Sequence, residues 1–346
     1  MKSTATVTWI TWRNYGTFLQ AYALQQVLLR HGYRNYIISD ASHVREPHLS
    51  WKQQLRLLLQ GRYDWSRLAY ERFKRRYLLI REPGDAPEVD VHICGSDQIW
   101  SPYLEFDPYY YLDFVRGKKI AYAPSTGTGF STPEYRENVL RYLPSFAHLS
   151  ARERCGAEML STLLQRPVET VLDPTLLLSG DEWRQLKRRV RRRKFLLCYF
   201  LTDQAWYVDY ARRYADTHGL RLIVLATQPS YRRMADVFLH AGPREFLSYI
   251  DEADMVLTDS FHATIFSILL QTPFACFKRF EDGAWRDQNP RVRELLGLLG
   301  LDEYLISPSH VDAVESLAVP PWEHVAARLE PARQHSLQYL IHAIEH

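Results

Sequence analysis

The sequence predicts an α/β fold of two Rossmann-like domains that face each other across a cleft, each domain a parallel sheet flanked by helices. Short apolar runs alternate with amphipathic helical patterns along nearly the whole chain, which is typical of parallel sheets covered on both faces. The chain has 346 residues, more than one ordinary core requires, so two domains are expected. In such folds ligands bind at the carboxyl ends of the strands.

The N-terminal domain is predicted to span residues 1–175. Apolar runs favour strands at residues 4–10, 36–39, 89–94, 120–123, 148–151 and 168–172. Amphipathic patterns favour helices at residues 17–31, 134–143 and 153–164, and Gly32 supplies a stop signal for the first of them. A helical insertion rich in basic and aromatic residues is expected at about residues 48–81.

A basic linker at residues 176–194 leads to a C-terminal domain that is predicted to span residues 195–315. Its apolar runs favour strands at residues 195–201, 220–226, 255–257 and 274–277, with helices between them. The remaining segment, residues 316–346, is expected to form a C-terminal helix over residues 322–344. No close internal repeat is visible in the sequence.

Net charge is only +3, but the cations are unevenly distributed. Residues 184–194 carry eight cations and no acid, and residues 52–81 carry nine cations against two acids. Because aromatic and leucine residues are interleaved with the cations of the insertion, this segment suits a helix resting on an anionic bilayer surface. An ordinary solvated helix packed by its apolar stripe is the alternative. No nucleic-acid-binding motif accompanies the basic runs, so nucleic acid is not an expected partner.

The bulk composition, with 46% hydrophobic and 24% charged residues, is that of a soluble globular protein. No signal peptide is recognised, and no apolar stretch approaches the roughly 20 residues needed to cross a bilayer. The four cysteines are scattered, and three lie in or beside predicted strands, which favours buried thiols over disulfides or metal ligands. We therefore expect a cytoplasmic protein without a metal site or cofactor.

The most informative stretch is residues 258–267, where a buried strand passes into a helix. Asp259 and Ser260 are good N-cap residues, so His262 is expected in the first turn of that helix. The free N–H groups and the positive end of the helix dipole favour an anion there, and an imidazole can transfer a proton near neutral pH. A capping serine with a histidine that faces solvent is the alternative.

Other polar loops follow predicted strands of the N-terminal domain. The loop at residues 11–17 supplies Arg13 and Asn14, and its Gly16 permits close approach of a ligand, although a plain turn would also explain it. In residues 95–100, Asp97 and Gln98 suit sugar hydroxyls and Trp100 suits stacking on a pyranose, with helix capping as the alternative.

Three further loops complete the candidate cleft. Ser125 belongs to a turn of small residues, and Arg152 is placed for bidentate contact with a carboxylate or phosphate, unless it forms only a surface pair with Glu153. The segment Asp173-Pro174-Thr175 is expected to be a turn and domain hinge rather than a catalytic site. Arg291 precedes a helix and is expected to reach back over the cleft.

Taken together, these stretches resemble the polysaccharide pyruvyl transferase family. They occur in the family's order across about residues 4–300, leaving out the arginine-rich stretch and the tail. The matching stretches are Asn14-Tyr15-Gly16 with residues 19–24, residues 95–100, residues 122–125, Arg152-Glu153, residues 172–175, residues 258–262 and residues 289–291.

The resemblance implies a GT-B-like fold and transfer of a pyruvyl group from phosphoenolpyruvate onto a sugar as a ketal. His262 would bind phosphate and act as the acid, Arg152 would hold the donor's carboxylate or phosphate, and Asp97 would accept a hydroxyl proton. Some members carry arginine where this chain has Ser260, so one donor contact is expected from Arg152, Arg279 or Arg291. The substrate-binding residues so implied are Asn14, Tyr15, Gly16, Gly95, Ser96, Gln98, Trp100, Ser125, Asp259, Ser260, Arg279 and Arg291.

The expected partners are phosphoenolpyruvate and a sugar, in particular an oligosaccharide on a lipid diphosphate carrier at the inner face of the membrane. The N-terminal domain would hold the acceptor and the C-terminal domain the donor. A GT-B-type glycosyltransferase that uses a nucleotide sugar is the first alternative, because the same cleft would suit a sugar diphosphate. A non-catalytic sugar-binding protein is the second.

Overall fold

The N-terminal half folds around a parallel sheet of five strands in the order β3-β2-β1-β4-β5 in the computed structural model. The strands are β1 (Ser3–Val7), β2 (Arg34–Ile38), β3 (Ile80–Arg81), β4 (Val91–Cys94) and β5 (Lys118–Ala121). The helices are α1 (Tyr15–Arg30), α2 (Trp51–Leu59), α3 (Ser66–Tyr77), α4 (Pro133–Tyr142) and α5 (Arg154–Leu164). Every residue of β1 is buried, as expected for a central strand covered by helices on both faces.

The structure describes residues 1–10, 14–40, 42–43, 50–59, 64, 66–190, 194–284 and 287–346, and within α2 the side chains at 54, 57 and 58 are excluded. Arg13, for which a ligand contact was predicted, lies outside the described residues, as do residues 191–193 of the basic linker. No described helix combines the length and the apolarity that crossing a bilayer requires.

The strands predicted at residues 148–151 and 168–172 are shorter in the structure and form a separate pair. They are β6 (Ser150–Ala151) and β7 (Glu169–Thr170), which pair in parallel beside the main sheet. Both residues of β7 are exposed, so only the flanking valines and leucine of that apolar run enter the core. The pair positions the loops that follow it, at Arg152 and at Asp173.

The C-terminal half contains a parallel sheet of six strands in the order β10-β9-β8-β11-β12-β13. The strands are β8 (Phe195–Tyr199), β9 (Arg221–Leu225), β10 (Val237–Leu239), β11 (Met255–Thr258), β12 (Phe274–Phe277) and β13 (Leu305–Ile306). The helices are α6 (Gly180–Leu186), α7 (Ala205–Thr217), α8 (Pro243–Asp251), α9 (Phe261–Leu270), α10 (Pro290–Leu299) and α11 (Trp322–Glu345). The sequence did not predict the edge strands β10 and β13, which have only three and two residues.

Two segments connect the halves. The predicted basic linker contains α6, which Ser179 and Glu182 begin with a reciprocal capping box. The terminal helix α11 returns to the N-terminal sheet, where the Tyr339 hydroxyl donates to the Ala121 carbonyl (3.0 Å) and the Ser336 hydroxyl accepts from the Leu172 N–H (2.9 Å). These contacts tie the end of the chain to the first domain.

The helices of the insertion differ in what they contact. In α3, Tyr70 and Phe73 are buried and pack against Phe18 of α1, with ring centroids 5.0 and 6.2 Å away. Tyr15 extends this aromatic cluster to Phe246 of α8 in the second domain, at 4.2 Å. Helix α3 is therefore part of the domain interface, which agrees with the alternative of a helix packed by its apolar stripe.

Helix α2 instead has three apolar side chains that point outward. Trp51, Leu55 and Leu59 are 69%, 45% and 81% exposed. Their spacing of four residues places them on one face of the helix.

Candidate active site

The first turn of α9 lies at the boundary between the two domains. Ser260 is its N-cap, and its side chain accepts a hydrogen bond from the Ala263 N–H at 3.4 Å. His262 is buried rather than facing solvent, with 7% of its surface exposed. Its imidazole packs directly on Gly16 of α1, where a Cβ atom would lie 2.0 Å from Nδ1. Glycine is therefore required at position 16 for the two domains to meet here.

Asp259 was expected to bind substrate, but its carboxylate oxygens accept hydrogen bonds from other residues of the protein. Its carboxylate accepts from the backbone N–H groups of Leu201 (2.6 Å) and Thr202 (2.9 Å) in the loop after β8. Burial raises the pKa of this carboxyl, although Arg279 and the Thr202 contacts oppose the shift. The structure thus gives Asp259 the role of fixing a loop of the second domain.

Arg152 is buried in a cage of carboxylates and an aromatic ring. Its Nε donates to Glu153 Oε1 (2.9 Å) and its Nη1 donates to Asp173 Oδ2 (2.8 Å). The guanidinium carbon lies 4.3 Å from the centre of the Phe261 ring, an arrangement that favours a cation. Although burial opposes its charge, the carboxylates of Glu153, Asp173 and Asp97 raise the pKa of Arg152. Its second terminal nitrogen has no hydrogen-bond partner in the part of the chain that the structure describes.

Asp173 is the centre of this cage, which the sequence did not indicate, since this residue was interpreted as a hinge. Oδ2 accepts from Arg152 and from the Ser96 hydroxyl (3.1 Å) and lies 3.5 Å from His262 Nε2. Oδ1 accepts from the N–H and hydroxyl of Thr175. Burial opposes ionisation, but His262, Arg152 and Thr175 together hold the pKa of Asp173 well below its usual range. The ionised carboxylate aligns Arg152 and can neutralise an imidazolium at His262.

The loop after β4 presents Asp97 to the same region. Asp97 has φ of 74°, in the left-handed region that residues other than glycine rarely occupy. The Ser125 N–H donates to its carbonyl at 2.7 Å, and its own Oδ1 accepts from the Gln98 N–H at 2.8 Å. Its other carboxylate oxygen is buried and accepts no hydrogen bond from any described residue. The neighbouring Gly95 packs so closely on β1 that a Cβ atom would lie 3.0 Å from Thr6 and Thr8 side chains.

Two arginines of the second domain complete the cluster. Arg291 is buried and donates to the side chain of Gln288 at 3.0 Å, and Gln288 in turn accepts from Gln98 across the cleft, also at 3.0 Å. Burial, together with the charges of Arg279 and Arg152, lowers the pKa of Arg291 to about 9. Arg279 Nε is 3.7 Å from Asp259, an ion-pair distance but beyond hydrogen-bond distance, and it has no hydrogen-bond partner among the described residues. The guanidinium groups of Arg152 and Arg279 lie close enough to contribute to the lowered pKa of Arg291, and an anion bound among the three would relieve this repulsion.

Several predicted ligand-binding residues have structural roles in this structure. Trp100 is 0% exposed, stacks on Tyr111 and donates from its indole to the Tyr110 carbonyl, so it offers no face to a sugar. Tyr15 is likewise enclosed in the aromatic cluster of the domain interface. The Ser125 hydroxyl donates to Glu153 Oε1 at 2.7 Å and helps to hold the cage. Asn14 caps α1 through the Gly16 N–H and also lines a neighbouring pocket.

Four of the ten buried side-chain polar atoms that lack a hydrogen-bond partner among the described residues lie at this junction. They are one nitrogen each of Arg152, His262 and Arg279 and one oxygen of Asp97. Buried polar groups are normally hydrogen-bonded, so four such atoms at one junction indicate a site that a ligand completes. Three nitrogens suit the oxygens of a dianionic ligand, and the lone carboxylate suits a hydroxyl proton. Among the described residues, no group of His, Cys, Asp and Glu side chains is arranged to hold a metal ion.

A cavity of about 580 Å³ between the domains reaches this cluster from the side of α10 and α11. Arg152, Asp173, Phe261 and Arg291 are among the residues that line it. At the wall of this cavity, Glu294 of α10 accepts from the Arg154 N–H (2.6 Å) and the Cys155 N–H (3.1 Å) at the start of α5. This contact uses the N-terminus of α5 to join the two domains.

Comparison with known structures shows the same architecture. S. aureus MnaA in its UDP co-structure is similar to this chain with a TM-score of 0.53 and 12% identity, over 95% of this chain and 91% of that one. The UDP-GlcNAc 2-epimerase from Methanocaldococcus jannaschii is similar with a TM-score of 0.52 and 10% identity, over 92% and 93% of the two chains. At this identity the likeness shows the fold alone, and it confirms the predicted GT-B-like arrangement of two Rossmann-like halves.

Sequence comparison defines the family. No individual curated protein is significantly similar to the chain. The model of the polysaccharide pyruvyl transferase family, however, matches residues 14–279. This match covers most of the chain and includes Asp97, Arg152, Asp173 and His262. The chain therefore belongs to the polysaccharide pyruvyl transferase family and is an enzyme of that kind.

Proposed function

We propose that this enzyme transfers the pyruvyl group of phosphoenolpyruvate onto two hydroxyls of a sugar in a surface-polysaccharide precursor, giving a ketal and releasing phosphate. The observation that carries the proposal is the group of buried nitrogens on Arg152, His262 and Arg279 that have no hydrogen-bond partner among the described residues. Phosphoenolpyruvate has a phosphate and a carboxylate, and each needs donors of this kind. The nearby charge of Arg291 adds to the attraction for an anion.

The first half of the proposed reaction uses one residue from each domain. Protonated His262 gives its proton to the methylene carbon of phosphoenolpyruvate, which leaves the adjacent carbon C2 electron-poor. A sugar hydroxyl forms a bond to C2 and its proton passes to Asp97. Arg152 holds the donor's carboxylate, and the ionised Asp173 keeps Arg152 in place. A positioned acid or base contributes about 10²–10⁴-fold to such a step.

The second half closes the ketal. The bond between C2 and the phosphate oxygen breaks, and a second hydroxyl of the same sugar forms a bond to C2. The proton of that hydroxyl leaves with the phosphate, and solvent carries the proton of Asp97 back to His262. One carbon–oxygen bond is lost and two are formed, so neither an oxidant nor a reductant is needed.

The acceptor in this proposal is carried on a lipid, and α2 supports contact with a membrane. Trp51, Leu55 and Leu59 form an exposed apolar face, while Lys52 and Arg56 add positive charge to the same helix. The sequence of α2 contains no acid. An amphipathic helix with these features suits the surface of an anionic bilayer. Such contact would bring the cleft near a lipid-linked sugar.

Calorimetric titration with phosphoenolpyruvate and with UDP tests the donor. The proposal predicts saturable binding of phosphoenolpyruvate that is lost in Arg152→Lys, because lysine lacks the planar fork that contacts two carboxylates at once. Arg154→Lys serves as the control, since the Arg154 side chain is 75% exposed. Binding of UDP without binding of phosphoenolpyruvate would instead establish the glycosyltransferase alternative.

A further inference from the structure

One side-chain oxygen joins the two domains beside the candidate active site. Oε1 of Gln288, in the segment before α10, accepts from Gln98 Nε2 in the loop after β4 and from Arg291 Nη2, each at 3.0 Å. We propose that Gln288 is a positioning residue, whose amide holds the Asp97 loop in register with Arg291 and leaves the charge of this arginine free to attract an anion. The inference deepens the proposed function, on which it rests for the identity of the reaction.

On the side of the N-terminal domain, the contact reaches the proposed base. The Gln98 N–H donates to Asp97 Oδ1 at 2.8 Å, so the main chain of Gln98 holds one oxygen of that carboxylate. The side-chain amide of the same residue donates to Gln288. Because φ of Asp97 is 74°, a conformation that costs energy in residues other than glycine, the loop needs surrounding contacts to keep it. The hydrogen bond to Gln288 is one such contact, and it comes from the other domain.

The turn of small residues in the N-terminal domain leaves room for this contact at Gly127. A Cβ atom on Gly127 would lie 3.0 Å from Gln98 Nε2 and 3.8 Å from Gln288 Cγ. The residue also has φ of 73°, in the left-handed region. A side chain at this position would therefore press on the Gln98 amide and move it relative to its acceptor.

On the side of the C-terminal domain, the segment that carries Gln288 is tied to the chain after β12. Asn289 Oδ1 accepts from the Arg279 N–H at 3.2 Å, and Asn289 Nδ2 donates to the Phe280 carbonyl at 2.8 Å. The Asn289 N–H donates to Asp287 Oδ1 at 2.8 Å. Gln288 thus lies between two hydrogen-bonded residues, and its backbone is held next to that of Arg279.

The chemistry of its partner determines what Arg291 can attract. Arg291 is buried, and its hydrogen-bond acceptors among the described residues are the backbone carbonyl (3.3 Å) and the side-chain oxygen of Gln288, both uncharged. Arg152, by contrast, donates to the carboxylates of Glu153 and Asp173. An amide oxygen orients a guanidinium without neutralising it, whereas a carboxylate at position 288 would compete with a bound anion. Arg291 also lines the cavity of about 580 Å³ between the domains.

Calorimetric titration of the full chain with inorganic phosphate and with phosphoenolpyruvate tests the effect of charge at position 288. Gln288→Glu keeps an oxygen that can accept from Gln98 but places a carboxylate beside Arg291. We expect it to bind both anions at least about tenfold more weakly than wild type, as the loss of a hydrogen bond between charged groups allows. Gln338→Glu, an equal charge change at an exposed position of α11, should bind them as wild type does. Equal affinity of the two variants for inorganic phosphate, or no binding of inorganic phosphate by wild type, would overturn the assignment.

Acceptor-dependent phosphate release tests the coupling between the domains. Gln98→Met and Gln288→Met remove the hydrogen bond and keep the length of the side chain. Each should lower kcat at least about tenfold, because small displacements of reacting groups are costly. The double variant should be no slower than Gln288→Met, since the two glutamines act through one contact. Losses that multiply in the double variant would contradict this coupling.

A loss of stability alone would not separate turnover from anion binding. Gln98→Met should lower kcat but keep the wild-type affinity for inorganic phosphate, since the Gln98 amide contacts Gln288 and not Arg291. An equal loss of kcat and of phosphate affinity in Gln98→Met would contradict the positioning role.

The outcomes separate this inference from the reaction itself. Weaker binding of inorganic phosphate by Gln288→Glu than by Gln338→Glu, without phosphate release from phosphoenolpyruvate by wild type, would support the role of Gln288 and contradict the proposed donor. Acceptor-dependent release by wild type, with unchanged anion affinity in Gln288→Glu, would support the donor and contradict the role of Gln288.

Discussion

Gly16 and His262 are in van der Waals contact across the domain interface, and no side chain larger than hydrogen fits at position 16. A Cβ atom there would lie 2.0 Å from Nδ1 and 2.3 Å from Cγ of the imidazole. The contact fixes the ring of His262 against the start of α1, with Nε2 3.5 Å from Asp173. The position of the proposed acid thus depends on a residue of the other domain.

Gly16→Ala should therefore lower turnover at least about 10²-fold, the contribution expected of a positioned acid. The variant should also lower the melting temperature, although alanine in a helix is ordinarily more stable than glycine by about 1 kcal/mol. The measurement combines steady-state kinetics with thermal unfolding. Gly117→Ala is the matched control, because a Cβ atom there meets nothing within 4 Å. Normal turnover in Gly16→Ala would show that the ring position does not matter.

Asp173→Asn should destabilise the fold in a pH-dependent manner. The pKa of Asp173 is well below the value of about 3.9 in an unfolded chain. Its ionised form therefore stabilises the native state fully above about pH 4, and this contribution is lost as pH falls further toward the native pKa. Removing one partner of a buried ion pair costs about 3–5 kcal/mol near neutral pH.

Denaturant unfolding of both proteins near pH 7 and near pH 3 measures this dependence. The difference in free energy of unfolding between wild type and Asp173→Asn should be smaller at the lower pH. Asp85→Asn, at an exposed position, should show little difference at either pH. A constant difference across this range would contradict the ionised state assigned to Asp173.

Trp100 should affect stability rather than acceptor binding. Its indole is fully buried against Tyr111 and hydrogen-bonded to a backbone carbonyl. Trp100→Ala should lower the free energy of unfolding by about 3–5 kcal/mol. Trp100→Phe should retain the acceptor KM of the wild type while costing less stability. A raised KM in Trp100→Phe, at unchanged melting temperature, would restore the sugar-stacking role predicted from the sequence.

The exposed face of α2 should mediate binding to anionic vesicles. Replacing Trp51, Leu55 and Leu59 by serine should strongly reduce cosedimentation with phosphatidylglycerol vesicles, since these side chains supply the apolar contact. The control replaces Leu29, Leu140 and Leu298 by serine, which are also exposed but lie on three different helices. The double variant Lys52→Glu and Arg56→Glu should also bind anionic vesicles more weakly than wild type, and the difference should be largest at low salt, where charges are least screened. Equal vesicle binding by the two triple variants would contradict the proposed membrane contact of α2.

The alternation of strands and helices was sufficient to predict the fold. The β11–α9 turn was predicted to place His262 in a first helical turn, and Ser260 is the N-cap there. A strand that is buried on both faces, such as β11, reads as a short continuous apolar run, which makes it visible in the sequence. The edge strands β10 and β13 were missed because two or three residues are too few to show a period.

The roles of single residues depended on contacts distant in sequence. In the sequence Asp173 is typical of a turn residue, and its Oδ1 does accept from the N–H of Thr175. Only the tertiary fold brings Arg152 and His262 to its other oxygen, Oδ2. The sequence placed Trp100 in the cleft because this residue follows a strand. In the structure its indole is buried in the core. Burial and pairing of this kind leave no pattern among neighbouring residues in the sequence. The sequence alone therefore predicted which loops form the site, but it did not predict what each side chain in them contacts.

Acceptor-dependent release of phosphate from phosphoenolpyruvate is the most direct test of pyruvyl transfer by this enzyme. Purified wild type, His262→Ala and Trp100→Phe are assayed against a panel of free and lipid-linked saccharides. We expect release with at least one acceptor in wild type and in Trp100→Phe, and loss of release in a folded His262→Ala protein. Undiminished release by His262→Ala, or no release by wild type with any acceptor while UDP binds saturably, would contradict it.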